Sequence, residues 1–312
     1  MVNGVEENLK VAILGAGGFI GQNLARKLIV DGHEVTLFVR KSRPAGGASL
    51  GREIIFDFSR LTGMSELLNS FDTVYHLVSS TNPSKSANSS RLDAQENLMA
   101  SLDLMEILKD NPATRLVFVS SGGAVYGAPE TVPITEGHAT NPISFYGVSK
   151  LSVEKYLHAY SVSANLNYIV MRLSNPFGPG QVNTKGQGLI PTIIESAILN
   201  KPLVIWGDGG SIRDYLYIDD AVDGLSRAIF HKGKDSVFNI GSGLGTSVLE
   251  LIAHIEEITG KEIALEFQPR RAFDAPANVL DISLAKSVLS WNPKTPIRDG
   301  LEATVHWHQM RL

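Results

Sequence analysis

Short runs of β-branched and other apolar residues alternate with helical patterns through the first half of the chain, and this alternation limits the folds open to it. The runs cover residues 10–14, 35–39, 53–56, 73–77, 115–120 and 168–173, and helical patterns cover 19–31, 93–109 and 146–161. Strands that alternate with helices form βαβ units, in which both faces of a parallel sheet are covered. Because such crossovers are right-handed, we predict an α/β fold with a doubly wound parallel sheet.

The pattern changes after residue 173. A loop rich in Gly, Pro and Asn is predicted at 175–185, followed by a helix at 189–199, a turn at 207–210, strands at 215–218 and 236–240, and one more helix at 247–259. We therefore predict a first domain over 1–174, to which the chain returns near 215–242, and a smaller C-terminal lobe over 175–312.

Composition excludes several classes of function. Apolar residues make up 43% of the 312 residues, which allows a sizeable core, and the net charge of −4 argues against a nucleic-acid partner. The chain has no cysteine, so disulfides and thiolate chemistry are excluded. No signal-peptide pattern opens the chain, and no apolar run approaches the roughly 20 residues that cross a bilayer. We expect a soluble, cytoplasmic protein without a membrane partner.

A glycine-rich turn joins the first predicted strand to the first predicted helix. In GAGGFIG, Gly15 allows a tight turn, Gly18 lets the backbone approach a pyrophosphate, and Gly21 allows helix and strand to pack closely. The helix N-terminus adds free N–H groups for the same anion. The position after a first strand favours a Rossmann-type dinucleotide site that also includes Phe19 and Ile20; the alternative is an ordinary strand-to-helix turn.

The end of the second predicted strand bears on which nicotinamide dinucleotide binds. A carboxylate there would bind the adenosine ribose, but this strand ends in Arg40, followed closely by Lys41 and Arg43. Because Arg can meet a 2′-phosphate with paired hydrogen bonds, the sequence favours NADP slightly over NAD; a solvated basic loop is the alternative. Asp57 follows the third strand, where it could contact the adenine edge or cap the strand.

Tyr146 and Lys150 are four residues apart at the start of a helical pattern, so they share one helical face. A nearby ammonium and the nicotinamide charge favour the phenolate form of a tyrosine, whose ordinary pKa is about 10. Tyr146 can then exchange a proton with a sugar hydroxyl while a hydride moves, and Lys150 would also hold the nicotinamide ribose. Ser120 and Ser121 end a strand, where a hydroxyl could bond the reacting oxygen or cap the strand.

These motifs, taken in order, resemble the extended short-chain dehydrogenase/reductase family, and within it the nucleotide-sugar 4-epimerases and 4-ketosugar reductases. The matches span nearly the whole chain: 15–21, Asp57, Asn97, 120–127, Tyr146 and Lys150, 172–179 (RLSNPFGP), 213–215 (RDY), 219–220, 239–243 (NIGSG) and 271–274.

The resemblance implies a nucleotide-sugar substrate held by the C-terminal lobe. Arg213 and Arg271 would pair with its phosphates, which suits the bidentate guanidinium, although a salt bridge with a nearby Asp is the alternative for Arg213. The remaining implied roles are for Asn97 beside the cofactor, Asn175 beside the diphosphate, and Leu189, Ile190 and Trp206 around the base.

The chain departs from the family pattern at two places. The usual family hydroxyl aligns with Gly122, and Ala124 stands where Thr is frequent, so Ser121 would have to serve as the third catalytic residue. Arg40 stands where epimerases commonly have an acid nearby. A dehydratase is disfavoured, because Gly123 and Ala124 replace the Asp-Glu pair of that branch.

The sequence therefore predicts an NAD(P)H-dependent reductase of the C4 ketone of a nucleotide-linked 4-keto-6-deoxyhexose (dTDP-linked or similar), active in polysaccharide biosynthesis. The alternative is an NAD-dependent UDP-hexose 4-epimerase of the UDP-glucose or UDP-GlcNAc type, toward which overall similarity points. A non-catalytic cofactor-binding protein is the second alternative, which the presence of both Tyr146 and Lys150 disfavours.

Some further features carry weaker expectations. Apolar stripes on the helices at 93–109 and 146–161 predict a homodimer, as in the resembling family, or ordinary core packing. His306 and His308 would share a face of a strand, but no further ligands support a metal site. Asp219 and Asp220 predict a helix start rather than an acid-base pair, and His76 is expected to be structural.

Overall fold

The computed structural model describes residues 8–41, 51–81, 86–87, 89–183, 188–271 and 275–311. Arg43 and Asp274 lie outside these ranges. The strands are β1 (Lys10–Leu14), β2 (Glu34–Val39), β3 (Arg52–Ile55), β4 (Thr73–His76), β5 (Arg115–Ser121), β6 (Tyr168–Leu173), β7 (Asn175–Phe177), β8 (Leu203–Trp206), β9 (Ile212–Tyr217), β10 (Val237–Ile240), β11 (Gly245–Ser247), β12 (Leu265–Gln268) and β13 (Ala277–Asn278). The α-helices are α1 (Phe19–Val30), α2 (Ser65–Leu68), α3 (Ser90–Asp93), α4 (Ala100–Leu108), α5 (Phe145–Ala164), α6 (Leu189–Leu199), α7 (Ile218–Ser226), α8 (Val248–Thr259), α9 (Ser283–Val288) and α10 (Ile297–Gln309).

Within the described ranges, seven parallel strands form the main sheet, in the order β10-β6-β5-β4-β1-β2-β3. Successive side chains of a strand point to opposite faces, and β1 shows that both faces are covered. Val11 and Ile13 pack into one buried cluster together with Leu24 of α1, whereas Ala12 and Leu14 pack into a second cluster on the other face. The doubly wound α/β fold predicted from the sequence is therefore confirmed.

A smaller group of elements lies beyond the carboxyl ends of these strands. There β7, β9, β11 and β13 form a second sheet, β8 pairs with β12, and α6, α8 and α10 contribute to a third buried cluster. The loop predicted at 175–185 therefore contains the short strand β7. The strand predicted at 215–218 belongs to the small sheet, so β10 and α7, which packs on α1, make the return to the main sheet. The domain boundary at residue 174 stays a prediction.

The helix predicted at 93–109 begins earlier and is irregular. It runs from α3 through the π-helical segment Ala94–Met99 into α4. A π-helical turn carries one extra residue, and such turns often occur at functional sites. Asp93 and Asn97 both lie at this irregular stretch, and their side chains meet behind the active site described below.

The C-terminal region holds two helices that the sequence did not predict, α9 and α10. His306 and His308 lie on α10, so the strand geometry considered for them was wrong. The residues that the structure describes contain no group of three His, Cys, Asp or Glu that could hold a metal, and no helix among them is long and apolar enough to cross a membrane. Asp219 and Asp220 lie in the first turn of α7, as predicted, and Asp220 accepts hydrogen bonds from the N–H groups of Lys294 and Thr295.

Candidate active site

A cavity of about 940 Å³ extends from the glycine turn of α1 to the small sheet. Its volume lies at the upper end of the range for cofactor and small-molecule sites. The cavity brings together most of the residues singled out by the sequence: Gly15, Gly18, Phe19, Ile20, Gly21, Ser121, Tyr146, Lys150, Asn175, Leu189, Ile190, Trp206, Arg213 and Arg271.

The glycine turn is built so that only glycine fits at two of its positions. Gly15 has a φ of +91°, and a Cβ at Gly21 would lie 2.5 Å from the Gly15 carbonyl oxygen. The turn therefore presses against the start of α1. Gly18 caps this helix without a side-chain hydrogen bond, so the first N–H groups of α1 are available to an anion in the cavity.

Tyr146 lies in the first turn of α5, and in space it is close to the carboxyl end of β5. The Ser144 hydroxyl caps this helix by accepting a hydrogen bond from Gly147 N at 3.1 Å. A Cβ at Gly147 would lie 2.6 Å from the Ala124 carbonyl oxygen, so only glycine lets the helix approach the loop after β5 this closely. This approach places the half-buried Tyr146 near the Ser121 side chain, which is close enough to lower the pKa of the phenol.

Burial raises the pKa of Tyr146 to about 12; the Ser121 hydrogen bond opposes this rise and the Asp93 charge adds to it. The phenol is therefore protonated at neutral pH in the free protein. Lys150 follows one helical turn later, and its ammonium lies 5.9 Å from the centre of the Tyr146 ring. An ammonium at this position favours the phenolate once a proton has been given up.

Lys150 is buried and anchored to β5. Its Nζ donates a hydrogen bond to the Val119 carbonyl oxygen at 3.0 Å and lies 4.7 Å from the centre of the Phe118 ring. Burial lowers the pKa of Lys150 to about 8, whereas the carboxylates of Glu154 and Asp93 raise it against that effect. Lys150 is therefore mostly charged at pH 7.

The structure explains why residue 122, which aligns with the usual family hydroxyl, is a glycine in this chain. A Cβ at Gly122 would lie 2.6 Å from Leu280 Cδ1 and 3.1 Å from the Arg172 carbonyl oxygen, so a serine does not fit there without movement. Ser121, one residue earlier, lines the cavity together with Tyr146 and lowers the pKa of its phenol. The structure thus places a hydroxyl beside the phenol although the aligned position lacks one.

Asn97 is not among the described residues that line the large cavity, but its hydrogen bonds support part of the cavity wall. Its Oδ1 accepts a hydrogen bond from Ser80 N at 2.9 Å, and its Nδ2 donates to Thr81 Oγ1 at 2.9 Å. Thr81 lines the cavity. Asn97 also donates a hydrogen bond to Asp93, a buried residue that no sequence motif marks.

Arg40 and Asp57 lie at the carboxyl ends of β2 and β3, and both are exposed. Neither belongs to the described wall of the cavity. The side-chain and backbone hydrogen bonds from Ser59 hold the pKa of Asp57 below its ordinary value, and the charges of Arg60 and Arg40 contribute less. Asp57 thus caps the turn after β3, which is one of the two roles expected for it.

The far wall of the cavity carries cationic and aromatic side chains. The Arg271 guanidinium lies 4.1 Å from the centre of the Trp206 ring, within the range of a cation–π contact. Arg213 donates a hydrogen bond to the Ile212 carbonyl oxygen at 2.8 Å, and Asn175 donates one to the Asp214 carbonyl oxygen at 2.9 Å. The guanidinium groups of Arg213 and Arg271 therefore line the same cavity as the glycine turn.

His76 is packed between the rings of Phe58 and Phe118, and its Nε2 lies 2.8 Å from Ser101 Oγ. Burial, and next the charge of Lys150, hold the pKa of His76 well below its ordinary value. The imidazole is therefore neutral at physiological pH, as befits a structural residue.

The fold and the cavity define an α/β enzyme with a dinucleotide site. The sequence pattern of the NAD dependent epimerase/dehydratase family matches residues 11–241. The chain is 30% identical over 307 residues to a UDP-glucose 4-epimerase of Mycolicibacterium smegmatis, covering 96% of this chain and 98% of that protein. It is 31% identical over 304 residues to a dTDP-4-dehydro-6-deoxyglucose reductase of Escherichia coli, covering 95% and 96%.

Solved structures agree with these relatives. A UDP-glucose 4-epimerase of Thermotoga maritima, solved with UDP-glucose, is 31% identical with a TM-score of 0.90, covering 97% of this chain and 99% of that one. A Thermus thermophilus UDP-glucose 4-epimerase in complex with NAD is 26% identical with a TM-score of 0.89, covering 97% and 100%. The chain therefore belongs to the NAD dependent epimerase/dehydratase family of extended short-chain dehydrogenases.

Membership makes the chain an NAD(P)-dependent nucleotide-sugar enzyme. The family description and the Thermus structure name NAD. They give no support to the preference for NADP that Arg40 suggested.

Proposed function

We propose that the chain reduces the C4 ketone of a nucleotide-linked 4-keto-6-deoxyhexose, such as a dTDP-linked sugar. The observation that carries the proposal is the proximity of Ser121 to Tyr146 in a cavity that Arg213 and Arg271 also line. A protonated phenol suits reduction, because the oxygen of the former ketone must receive a proton when a hydride reaches the carbon.

The roles of the chain's own residues follow from their positions. A bound nicotinamide dinucleotide supplies the hydride, and the glycine turn with the N-terminus of α1 would hold its pyrophosphate. Ser121 would orient the reacting oxygen, and Tyr146 would give it a proton. Lys150 would stabilise the resulting phenolate. The guanidinium groups of Arg213 and Arg271 would bind the sugar diphosphate.

UDP-hexose 4-epimerisation is the second candidate, and the names of most of the relatives favour it, although one is a dTDP-4-dehydro-6-deoxyglucose reductase. An epimerase oxidises C4 and returns the hydride to the same carbon, so it gains from a cofactor that stays bound. A reductase must release its oxidised cofactor in each turnover. The two reactions therefore make opposite demands on cofactor exchange.

Identifying the bound cofactor and the substrate that is turned over distinguishes reduction from epimerisation. The purified protein is denatured and any released dinucleotide is identified and quantified. Turnover is then measured with NADPH or NADH and dTDP-4-keto-6-deoxyglucose, and separately with UDP-glucose. Cofactor-free protein that oxidises NAD(P)H with the ketosugar supports reduction. Stoichiometric bound NAD together with conversion of UDP-glucose to UDP-galactose would reject the proposed reduction in favour of epimerisation.

A homodimer is also proposed. The helical run from α3 to α4 and helix α5 carry exposed apolar side chains, among them Leu92, Met99, Val148, Tyr156 and Val162. Two such helices from each of two copies could bury these side chains against each other. Light scattering of the purified protein tests this, and a monomeric mass at micromolar concentration would reject it.

A further inference from the structure

Asp93 is a fully buried carboxylate to which the reaction described above gives no role. It is the last residue of α3, and the π-helical segment follows it directly. The Thr81 hydroxyl donates a hydrogen bond to its Oδ1, and the Ser149 hydroxyl donates one to its Oδ2. Asn97 Nδ2 donates a third at 3.1 Å. Both carboxylate oxygens of Asp93 therefore have hydrogen-bond partners within the fold.

The three donors come from the elements that build the active site. Ser149 lies on α5, between Tyr146 and Lys150 in the sequence. Thr81 lines the large cavity, and Asn97 holds the same loop through the N–H group of Ser80. Asp93 is not part of the described cavity wall, so it acts on the site only through these neighbours and through its charge.

The charge matters because Lys150 is buried. Burial lowers the pKa of Lys150 to about 8, and the carboxylates of Glu154 and Asp93 oppose this decrease. The Glu154 carboxylate is shared with Arg172, whose Nη2 lies 2.6 Å away. The other titratable groups that face Lys150 are Tyr146, and His76 on β4, which is neutral at physiological pH.

We propose that Asp93 is a positioning residue, which anchors α5 at Ser149 and places a carboxylate behind Lys150 and Tyr146. The proposal rests on the proposed function, because it assumes that a charged Lys150 is needed for proton transfer. A carboxylate placed behind the site can do this without contacting substrate or cofactor.

The effect of the Asp93 carboxylate on Lys150 is tested by titrating Lys150 in the full-length protein. Acetylation of Lys150 by acetic anhydride is followed by mass spectrometry across a pH series, with the exposed Lys155 of the same sample as the internal reference. Asp93→Asn removes the charge at nearly constant size, and Asp93→Glu retains it. We expect Asp93→Asn to lower the Lys150 pKa by about half a unit or more, and Asp93→Glu to leave it near the wild-type value. An unchanged Lys150 pKa in Asp93→Asn overturns the role of the charge.

The anchoring is tested separately with Ser149→Ala, which removes one hydrogen bond but keeps every charge. We expect a several-fold loss of kcat with little change in KM, and an unchanged Lys150 pKa. An unchanged kcat overturns the anchoring, and it decides that part even if Asp93→Asn does not fold. Failure of the proposed function would appear as lack of turnover in the wild type, whereas the Lys150 titration needs no substrate.

Discussion

Arg172 and Glu154 form a buried ion pair beneath the active site. Arg172 Nη2 lies 2.6 Å from Glu154 Oε2, and the two side chains are only 5% and 4% exposed. The same guanidinium donates a hydrogen bond to the Tyr126 hydroxyl at 2.9 Å, and the Ser120 hydroxyl donates one to Glu154 Oε1 at 2.5 Å. Because Glu154 lies one turn after Lys150 on α5, the pair joins this helix to β5 and β6.

Glu154→Gln should lower the free energy of unfolding by about 3–5 kcal/mol, because it leaves a buried guanidinium without its carboxylate. Urea denaturation followed by circular dichroism measures this loss. Glu257→Gln is the matched control: Glu257 pairs with Arg298 at 2.8 Å, but the side chains are 60% and 50% exposed. The control should cost less than about 1 kcal/mol. Equal losses in the two variants would contradict the importance of burial.

Ser121→Ala should reduce turnover by roughly tenfold or more, because the hydroxyl beside Tyr146 is lost. Adding Gly122→Ser to this variant should not restore turnover, since the new Cβ would lie 2.6 Å from Leu280 Cδ1 and the serine is forced to displace it. Steady-state rates of both variants test the assignment. Full recovery in the double variant would show that position 122 can carry the hydroxyl after all.

The main sheet could be predicted because most of its strands are continuous apolar runs, whereas most of the strands outside it could not. Strand β8 alternates buried and exposed residues over only four positions, and β7 and β11 contain three residues each. Sequence patterns this short cannot be distinguished from those of loops, and the pairing of such strands depends on segments distant in the sequence. Helix α10 was not predicted, because its buried face consists of Gly300, Leu301, Thr304, Val305 and His308, of which only Leu301 and Val305 are strongly apolar.

The residues of the site also divide into those that could be predicted from the sequence and those that could not. Tyr146, Lys150 and Gly15 were predicted because each belongs to a local motif whose spacing has a physical reason. Asp93 was not, because its importance arises from Thr81 and Ser149, which lie 12 and 56 positions away in the sequence. A single sequence gives no signal for contacts of this kind.

Tyr146→Phe should abolish turnover, with a loss of about 100-fold or more, and leave dinucleotide binding largely intact, because only the phenolic hydroxyl group, which exchanges the proton, is removed. Rates are compared with binding measured by fluorescence titration of the reduced cofactor. Tyr156→Phe serves as the control, since Tyr156 lies on the same helix and is 45% exposed. Normal turnover of the Tyr146 variant would reject the proposed mechanism.

Arg40→Ala tests cofactor preference. If the exposed guanidinium at the end of β2 binds a 2′-phosphate, its loss should raise the KM for NADPH by about 10-fold or more and leave that for NADH unchanged. The neighbouring exposed Lys41 provides the control variant Lys41→Ala. Equal effects on both cofactors would show that Arg40 does not read the phosphate and would favour NAD, as in the family description.

The pH dependence of reduction should report Lys150. Its pKa is lowered to about 8, so the ammonium is present below this pH and is lost as the pH rises through it. Since the ammonium stabilises the phenolate formed from Tyr146, kcat/KM should fall above about pH 8. Lys150→Arg keeps a positive charge throughout this range. Its residual activity should therefore lack the alkaline decrease, whereas Lys155→Arg, at an exposed position, should retain it. An alkaline decrease that persists in Lys150→Arg would assign it to another group.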